Sequence, residues 1–373
     1  MSEKLRLPMG ITEPVLQYLY REKYIEIRER MGVERVRYGM LDRGWDRVQR
    51  LINQCSYIGP APVNLETYTA GVRWMHKKTP KADPAVVSRA FSHLVLSERD
   101  LQTFGLIVDS RRSLFLTGPP GSGKTTAAMA LHDALEGDIW VPYAIEVDNH
   151  IIRVFDPHVH HPVPAPEVRY DRRWVKVKRP LVVVGGELTL ESMDLIFAAN
   201  VNYYDAPFQI KANGGVLIID DFGRQRIEAQ DLLNRWIIPL ENRVDYLTLH
   251  TGKKIQVPFE QLLVFATNLD PKELVDDAFL RRMGYRMSFT APTAETYSRI
   301  LQKYMEGKGL SYSPELLFTL LARYEKEGRE MKACEPRDLV ERCLDIIRYE
   351  GLPREITPEL LRRAWNNYFG VQE

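Results

Sequence analysis

The residues best suited to chemistry form one continuous stretch, Gly118-Pro119-Pro120-Gly121-Ser122-Gly123-Lys124-Thr125-Thr126. It fits the Walker A pattern G-x-x-x-x-G-K-[ST]. The glycines allow positive φ angles and let backbone N–H groups approach an anion without a Cβ in the way. Lys124 is placed to reach the β- and γ-phosphates, and the Thr125 hydroxyl to bind Mg²⁺. Because a plain glycine-rich turn does not explain the Lys-Thr pair, all nine residues are predicted to form a nucleotide-binding site.

A second group of candidate residues follows the apolar run Val216-Leu217-Ile218-Ile219, which ends in Asp220 and Asp221. Acids at the carboxyl end of a buried strand form the Walker B arrangement. Asp220 would complete the Mg²⁺ shell, and Asp221 would orient and deprotonate the attacking water. A buried strand that ends in two aspartates by chance is the alternative. The Walker A stretch one hundred residues earlier disfavours it, since that spacing suits an α/β NTPase with an insertion.

These side chains can meet only if the strands that carry them lie parallel in one sheet. Continuous apolar runs at 114–116, 181–184, 216–219 and 262–268 predict such buried strands. An alanine-rich helical pattern follows the Walker A stretch, as a phosphate-binding loop requires. The run 262–268 ends in Asn268, whose amide can hydrogen-bond a γ-phosphate or the attacking water. The predicted fold is therefore α/β, with a parallel-sheet P-loop NTPase core.

Other segments surround this core. Residues 138–180 lack helical periodicity and contain a hairpin signature at Asp148-Asn149-His150, whereas residues 191–199 are predicted to form a helix. Residues 245–258 predict a second hairpin, with a basic tip at Lys253-Lys254. From Pro292 onward a small helical domain is expected, with helices at Thr296–Met305, Pro314–Glu327, Glu335–Tyr349 and Pro358–Tyr368.

The N-terminal segment, residues 1–58, has a different character. It predicts a helix at Thr12–Lys23, two strands at 24–28 and 35–40, and a helix at Trp45–Ile52 capped by Asp42. This order resembles the second half of a winged-helix domain, with Thr12–Lys23 as the recognition helix and Glu29–Glu34 as the wing. A full domain needs one or two more helices in front, so the module is truncated or completed by another chain. Eleven Lys/Arg against eight acids leave DNA contact, protein docking and a solvated charged face all open.

Composition narrows the class of protein. A net charge of +1 over 373 residues, with 45% hydrophobic and 27% charged residues, is typical of a soluble globular protein without a global field toward nucleic acid or lipid. The three cysteines have no C-x-x-C spacing, and no apolar run approaches 18 residues. We therefore expect a cytoplasmic protein that does not insert into membranes. The histidines at 158, 160 and 161 lack carboxylate or cysteine partners in the sequence, which favours a polar loop over a metal site.

Over residues 91–373 the motifs resemble an AAA+ ATPase. Walker A and Walker B are followed by Asn268 in the place of sensor 1, by the pair Arg281-Arg282, and by a helical segment with Arg337 in the place of sensor 2. Arg282 corresponds to the arginine finger of branch-migration motors, and Arg281 is the second candidate for that role. The hairpin at 245–258 resembles the pre-sensor 1 insertion of MoxR-type and branch-migration ATPases. The whole chain also resembles bacterial proteins described as predicted AAA ATPases with chaperone activity.

This resemblance implies ATP and Mg²⁺ as ligands and a ring homo-oligomer, by family default a hexamer, in which the finger comes from a neighbouring subunit. Together with the winged-helix resemblance of the N-terminal segment, it predicts four parts of the chain. These are a partial winged-helix-like module (1–58), a linker and helical connector (59–90), an AAA+ α/β core with hairpin insertions (91–290) and a C-terminal helical lid (291–373). One departure is Asp221, because most AAA+ proteins carry Glu there. Aspartate is one methylene shorter, so slow hydrolysis or a different water distance is expected.

Three functions remain open at this stage. The first is a chaperone-like remodelling ATPase that acts on a protein client through the hairpin tips and the N-terminal module. The second is a DNA-bound motor or loader that uses the wing and Lys253-Lys254 on phosphates. The third is a switch that assembles with ATP and hydrolyses it rarely.

Overall fold

The centre of the molecule is a five-stranded parallel sheet. The computed structural model describes residues 1–30, 36–167, 169–270, 274 and 277–370. The sheet has the order β16-β4-β15-β12-β9, all strands parallel. Because the order along the sheet differs from the order along the chain, each connection crosses over the sheet. The strands are β4 Leu114–Thr117, β9 Leu181–Val184, β12 Val216–Ile219, β15 Leu262–Thr267 and β16 Tyr285–Ser288.

Helices cover both faces of this sheet, and strand alternation determines which residues each face receives. Leu114 and Leu116 of β4 pack against Phe104, Ile107 and Leu131 from the helices on one face, whereas Phe115 points to the opposite face. The first face is covered by α5 Pro84–Ala90, α6 Glu98–Ser110 and α7 Lys124–Asp133, and the second by α9 Ala229–Asn242 and α10 Asp277–Arg282. The predicted buried parallel sheet is confirmed.

A second sheet lies beside the first and is built from the insertions. Its order is β10-β11-β7-β6-β3, with both parallel and antiparallel pairs. It shares a hydrophobic core with α4 Leu65–Lys78 and with the hairpin formed by β13 Val244–Thr248 and β14 Lys254–Pro258. The remaining strands are β3 Val63–Asn64, β6 Ala144–Val147, β7 His150–Arg153, β10 Ile196–Ala198 and β11 Tyr203–Asp205, with β5 Ile139–Pro142 and β8 Trp174–Val177 forming a separate antiparallel pair.

Both predicted hairpins exist, but the helix predicted at 191–199 is wrong. Glu191–Met193 forms a single 3-10 turn, and the chain becomes extended at Asp194. Residues 196–198 then pair with β11, and the rings of Phe197 and Tyr204 lie 5.0 Å apart. Pairing across strands outweighs a weak local helical pattern here, because strand formation depends on neighbours from distant parts of the chain.

The C-terminal segment is a four-helix unit with its own core, centred on Trp365, Tyr297 and Leu339. Its helices begin and end within a few residues of the predicted positions. They are α11 Ala294–Gly307, α12 Pro314–Glu327, α13 Glu335–Glu350 and α14 Pro358–Phe369. The remaining short helix, α8 Phe208–Lys211, does not belong to this unit but lies in the insertions of the core.

From Met9 onward the N-terminal module has the predicted order of helix, two antiparallel strands and helix, and a short helix that was not predicted precedes it. The elements are α1 Ser2–Leu5, α2 Met9–Arg21, β1 Ile25–Arg30, β2 Val36–Met40 and α3 Asp42–Gln54. The predicted cap is wrong, because Leu41 occupies the N-cap position and Asp42 is the first helical residue. There its carboxylate still faces the positive end of the helix dipole. Part of the proposed wing, residues 31–34, lies outside the described residues.

Over the described part of the chain, no helix combines the length and apolar character needed to cross a bilayer.

Candidate nucleotide site

The Walker A stretch forms a loop between the carboxyl end of β4 and the start of α7. Gly118, Gly121 and Gly123 have φ angles of 148°, 75° and 92°, values that a side chain strongly disfavours. Gly123 is the N-cap of α7, so that Lys124 and Thr125 begin the helix. The loop thus places backbone N–H groups and the positive end of a helix dipole at one point, which suits a phosphate group.

Lys124 is held over this loop although it is a long, charged side chain. Only 8% of the residue is exposed, and its Nζ donates hydrogen bonds to the carbonyl oxygens of Gly118 and Pro119, both at 2.9 Å. Burial lowers the pKa of Lys124, and the carboxylates of Asp220 and Asp221 oppose that shift. The Lys124 ammonium thus bonds the loop carbonyl oxygens and interacts with the charges of both acids. Because the two carboxylates outnumber it, a triphosphate would enter this site together with a divalent cation.

The two predicted motifs are in direct contact. The Thr125 hydroxyl donates to Asp220 Oδ2 at 2.9 Å, and the other carboxylate oxygen, Oδ1, accepts the Asp221 N–H at 3.0 Å. Asp220 follows β12, whose neighbours in the sheet are β9 and β15. A hydroxyl and a carboxylate at this spacing are the oxygen ligands that Mg²⁺ prefers.

Asp221 is exposed and has a φ of 48°, in the left-handed region. Aspartate tolerates this region better than most residues with a side chain, since its short polar group can bond locally. The backbone thus gives a physical reason for aspartate at a position where glutamate is the commoner acid in the family that the sequence resembles.

Two residues that the sequence motifs did not single out fix this turn. Gln225 donates from its amide nitrogen to the carbonyl oxygens of Asp220 and Asp221, at 2.9 and 3.1 Å, and accepts from the Gly223 N–H at 2.7 Å. Thr267, fully buried at the end of β15, donates to the Phe222 carbonyl at 2.7 Å. Neither pattern is visible in the sequence, because both contacts depend on how the chain turns after β12.

Asn268 follows Thr267 and lies one residue beyond its pairing with Thr117, so it is level with the start of the Walker A loop. Among the described residues, its side-chain oxygen is buried without a hydrogen-bond partner, as is the Ser122 hydroxyl of the loop. A buried polar atom without a partner has a hydrogen bond still to make, so the Ser122 hydroxyl on the loop and the Asn268 oxygen at the end of β15 are each available to an external polar group. With the positive-φ glycines and the Thr125–Asp220 pair, these atoms fit ATP and Mg²⁺.

The C-terminal helical unit contacts the loop directly. The Cys334 N–H donates to the Gly121 carbonyl at 2.9 Å, and a Cβ added to Gly121 would lie 2.5 Å from Cys334 Sγ. Arg337 stands in the first turn of α13, three residues beyond this contact. Its guanidinium is exposed and bonds Asp338 at 2.8–2.9 Å. The fold therefore brings the helix of Arg337 to the loop, while the side chain itself is paired with its neighbour.

The pair Arg281 and Arg282 lies at the other end of the sheet. Both residues precede β16, and the next residues bond the amino end of β4, where the Gly284 N–H donates to Ser113 Oγ at 3.2 Å. Arg282 Nε bonds Glu241 Oε1 at 2.5 Å, whereas Arg281 is exposed. The two arginines line a cleft of about 510 Å³ together with Arg112 and Arg243. The structure therefore does not bring them to the Walker A loop of the same chain.

Comparison with known families addresses the same region. Residues 113–283 match the model of the AAA domain (dynein-related subfamily). This part of the chain is an AAA domain. Its limits enclose β4 to α10, and so contain the Walker A loop, both acids, Asn268 and the arginine pair. Residues 293–367, which form the helical unit behind the AAA domain, match a domain of unknown function.

Solved structures with a similar fold include NtrX from Brucella abortus in complex with ADP, at 16% identity and a TM-score of 0.44, covering 74% of this chain and 56% of that chain. NtrX in complex with ATP is similar at 14% identity and a TM-score of 0.45, covering 86% and 59%. The Thermotoga maritima RuvB Holliday junction branch migration motor is similar at 15% identity and a TM-score of 0.43, covering 73% and 70%. The chain thus spans little more than half the length of the NtrX chains. No curated protein sequence matches it.

Proposed function

We propose that this protein binds ATP with Mg²⁺ at the Walker A loop and hydrolyses it as a ring oligomer that remodels a macromolecular client. The observation that carries the proposal is the hydrogen bond between Thr125 and Asp220, which joins the phosphate loop to the acid at the carboxyl edge of the sheet. A chance glycine turn and a chance acidic strand end would have no reason to meet. The buried, unpartnered oxygen of Asn268 beside them supports the same conclusion.

Each residue then has a separate task. Lys124 and the loop N–H groups hold the phosphates, and Thr125 with Asp220 holds Mg²⁺, which neutralises phosphate charge when it is bound. Asp221 accepts the proton of the attacking water, and Asn268 orients that water or the γ-phosphate. Arg337 adds a positive charge from the helical unit once its side chain turns from Asp338 to the phosphates.

The position of the arginine pair supports the proposed ring. Arg281 and Arg282 stand at the amino edge of the sheet, and the phosphate loop stands at the carboxyl edge. An arginine that cannot reach its own nucleotide can still complete the site of a neighbouring copy. A head-to-tail arrangement forms a ring when the rotation between neighbouring copies closes, and for this protein we propose a closed hexamer.

We propose a protein as the client at the hairpin of β13 and β14. Lys253 at its tip is paired with Asp148 of the other hairpin, and the His250 N–H donates to the Tyr204 hydroxyl at 2.9 Å. The pairing reduces the positive charge that this tip offers to DNA phosphates. These contacts join the two hairpins into one continuous surface, which suits contact with a polypeptide.

A slow assembly switch is the second candidate. It is favoured by the short side chain of Asp221 and by the ion pair that engages Arg282. A remodelling ATPase should turn over faster when client is added, whereas a switch should oligomerise with ATP and show little turnover under any condition. Phosphate release measured with and without an unfolded protein or DNA separates these two candidates.

The site itself is tested by Lys124→Ala, measured as equilibrium binding of a fluorescent ATP analogue. We expect binding to be lost, because the buried Lys124 ammonium is the positive charge that the phosphate-binding loop itself holds, through the Gly118 and Pro119 carbonyl oxygens. The matched control is Lys326→Ala, which removes an exposed lysine from α12 and should bind as the unmodified protein does. Retention of tight binding by Lys124→Ala would contradict the assignment of the loop.

A further inference from the structure

A hollow lined by aromatic rings lies away from the nucleotide site, between α4 and the antiparallel pair of β5 and β8. It has a volume of about 150 Å³. Three of the six tryptophans of the chain, Trp74, Trp140 and Trp174, line it together with Tyr170. Half of the tryptophans thus meet at one surface hollow that ATP hydrolysis does not use. The hollow is therefore a candidate for a second binding site.

The hollow is built by specific packing. Trp140 and Trp174 are diagonal neighbours on one face of the β5–β8 pair, since Trp140 is opposite Lys176 and Trp174 is opposite Pro142. A Cβ on Gly71 would lie 2.9 Å from the Trp174 ring, so only glycine allows the indole to lie this close to α4.

The rings at the mouth of the hollow are exposed to solvent. Trp74 is 59% exposed and Tyr170 is 38% exposed, and the rings of Tyr170 and Trp140 are 4.8 Å apart. Cavities of about this volume accept a benzene-sized ring, and they are too small for most drug-sized ligands. The hollow therefore fits one flat ring that stacks on aromatic side chains.

Charge around the hollow is mainly positive. Two of the segments that line it, 73–78 and 169–174, carry six Lys/Arg and one acid, Asp171, which is paired with Arg173 at 2.7 Å. In the third segment, Asp138 lies two residues before Trp140 and is paired with Lys176 at 2.8 Å. Lys77 and Lys78 are exposed and stand three and four residues after Trp74, so they are its neighbours on the surface of α4. Arg169 and Arg172, also exposed, flank Tyr170.

We propose that this hollow binds an unpaired base of a single-stranded nucleic acid, with the surrounding lysines and arginines on the adjacent phosphates. Stacking of bases on aromatic side chains combined with a positive groove is the common physical basis of single-strand binding. A cationic ligand is disfavoured by the positive surroundings. A proline-rich peptide would use the rings but would leave the charges without partners. This site does not depend on ATP hydrolysis. It is a third candidate for nucleic-acid contact, separate from the N-terminal module and from the tip of the β13–β14 hairpin.

The test is fluorescence anisotropy of the full chain with labelled oligothymidylate and oligouridylate of about 16 nucleotides, the upper end of common single-strand site sizes. It is run at low salt and without ATP. We expect both probes to report the site, and the tighter one identifies DNA or RNA as the source. Trp74→Ala should weaken binding by about five- to 150-fold, the loss expected for one stacked base. Trp74→Tyr, which keeps a stacking ring, should retain most of the affinity.

The matched control is Phe318→Ala, which removes an exposed aromatic ring (75%) from α12 of the C-terminal helical unit. It should bind as the unmodified protein does. Replacing Lys77 and Lys78 by Gln should reduce the slope of log K against log salt by roughly 0.7 for each phosphate that a lysine had neutralised. Circular dichroism and thermal melting verify that each variant is folded.

The proposal is overturned if the folded protein binds neither probe, if Trp74→Ala binds as well as the unmodified protein, or if a proline-rich peptide displaces the bound strand from the hollow. Lys124→Ala should bind the probes normally. A failure of the ATP site is thereby distinguished from a failure of this one.

Discussion

The arginine pair offers the sharpest test of the ring, through the substitution Arg282→Ala. Along β16 and β4, the pairs Tyr285–Leu114 and Ser288–Thr117 mark the amino and carboxyl edges. Three residue steps separate these edges by roughly 10 Å. The Arg282 guanidinium bonds Glu241 at the amino side, while the phosphate loop begins after Thr117. Within one chain, the substitution should therefore leave ATP binding unchanged.

Turnover should behave differently, because an arginine supplied by a neighbour stabilises charge only in the transition state. Its removal should lower the rate by about 10³- to 10⁵-fold, which corresponds to about 4–7 kcal/mol of activation free energy. The measurement is steady-state phosphate release, with ATP binding measured in parallel. Arg281→Ala is the matched control, and it should lose little activity if Arg282 is the finger.

Mixing two inactive variants tests whether the arginine acts between subunits. A ring formed from equal amounts of Arg282→Ala and Asp221→Asn has about a quarter of its interfaces with both an intact acid and an intact finger. Activity near that fraction is expected after mixing. If the mixture stays inactive although mixed rings assemble, or if Arg282→Ala abolishes ATP binding, the placement of the finger is wrong.

Three further substitutions test the surroundings of the site. Gly121→Ala places a Cβ against Cys334 at a positive φ angle, so urea unfolding should show a loss of about 1–2 kcal/mol with weaker ATP binding; an unchanged unfolding curve would contradict the contact. Thr267→Val leaves the Phe222 carbonyl without its donor and should cost about 1–3 kcal/mol and slow phosphate release, whereas Thr267→Ser should behave normally. Burial, with the charges of nearby arginines, lowers the pKa of His76 to about 4. In the unfolded chain the His76 imidazole has a pKa of about 6.5, so it is protonated at a higher pH than in the folded protein. Protonation of the unfolded chain therefore lowers the free energy of unfolding by up to about 2 kcal/mol between pH 7 and pH 5. Paired urea titrations at these two pH values should show a smaller loss in His76→Gln; an equal loss in both proteins would contradict the shift.

Local sequence was sufficient for four of the five core strands and for the two motifs, but it did not predict β16, whose residues alternate in burial and form no continuous apolar run. The apolar runs before Gly118 and Asp220 are buried parallel strands, and the glycines have the positive φ angles that the motif requires. These features depend on periodicity and on backbone geometry within a few residues. The helix predicted at 191–199 failed because β10 is stabilised by β11, a partner whose position no local pattern encodes.

The sequence by itself determined which residues carry phosphate chemistry, since the identity of Lys124, Thr125 and Asp220 and the conformation of the loop and strand that carry them are local information. Only the tertiary structure decided that Gln225 and Thr267 hold the acidic turn, that Arg282 stands at the opposite edge of the sheet, and that three distant tryptophans share one hollow. The physical reason is that spacing along a chain specifies backbone conformation within each element, whereas contacts between elements depend on how their side chains pack once the sheet and helices have assembled.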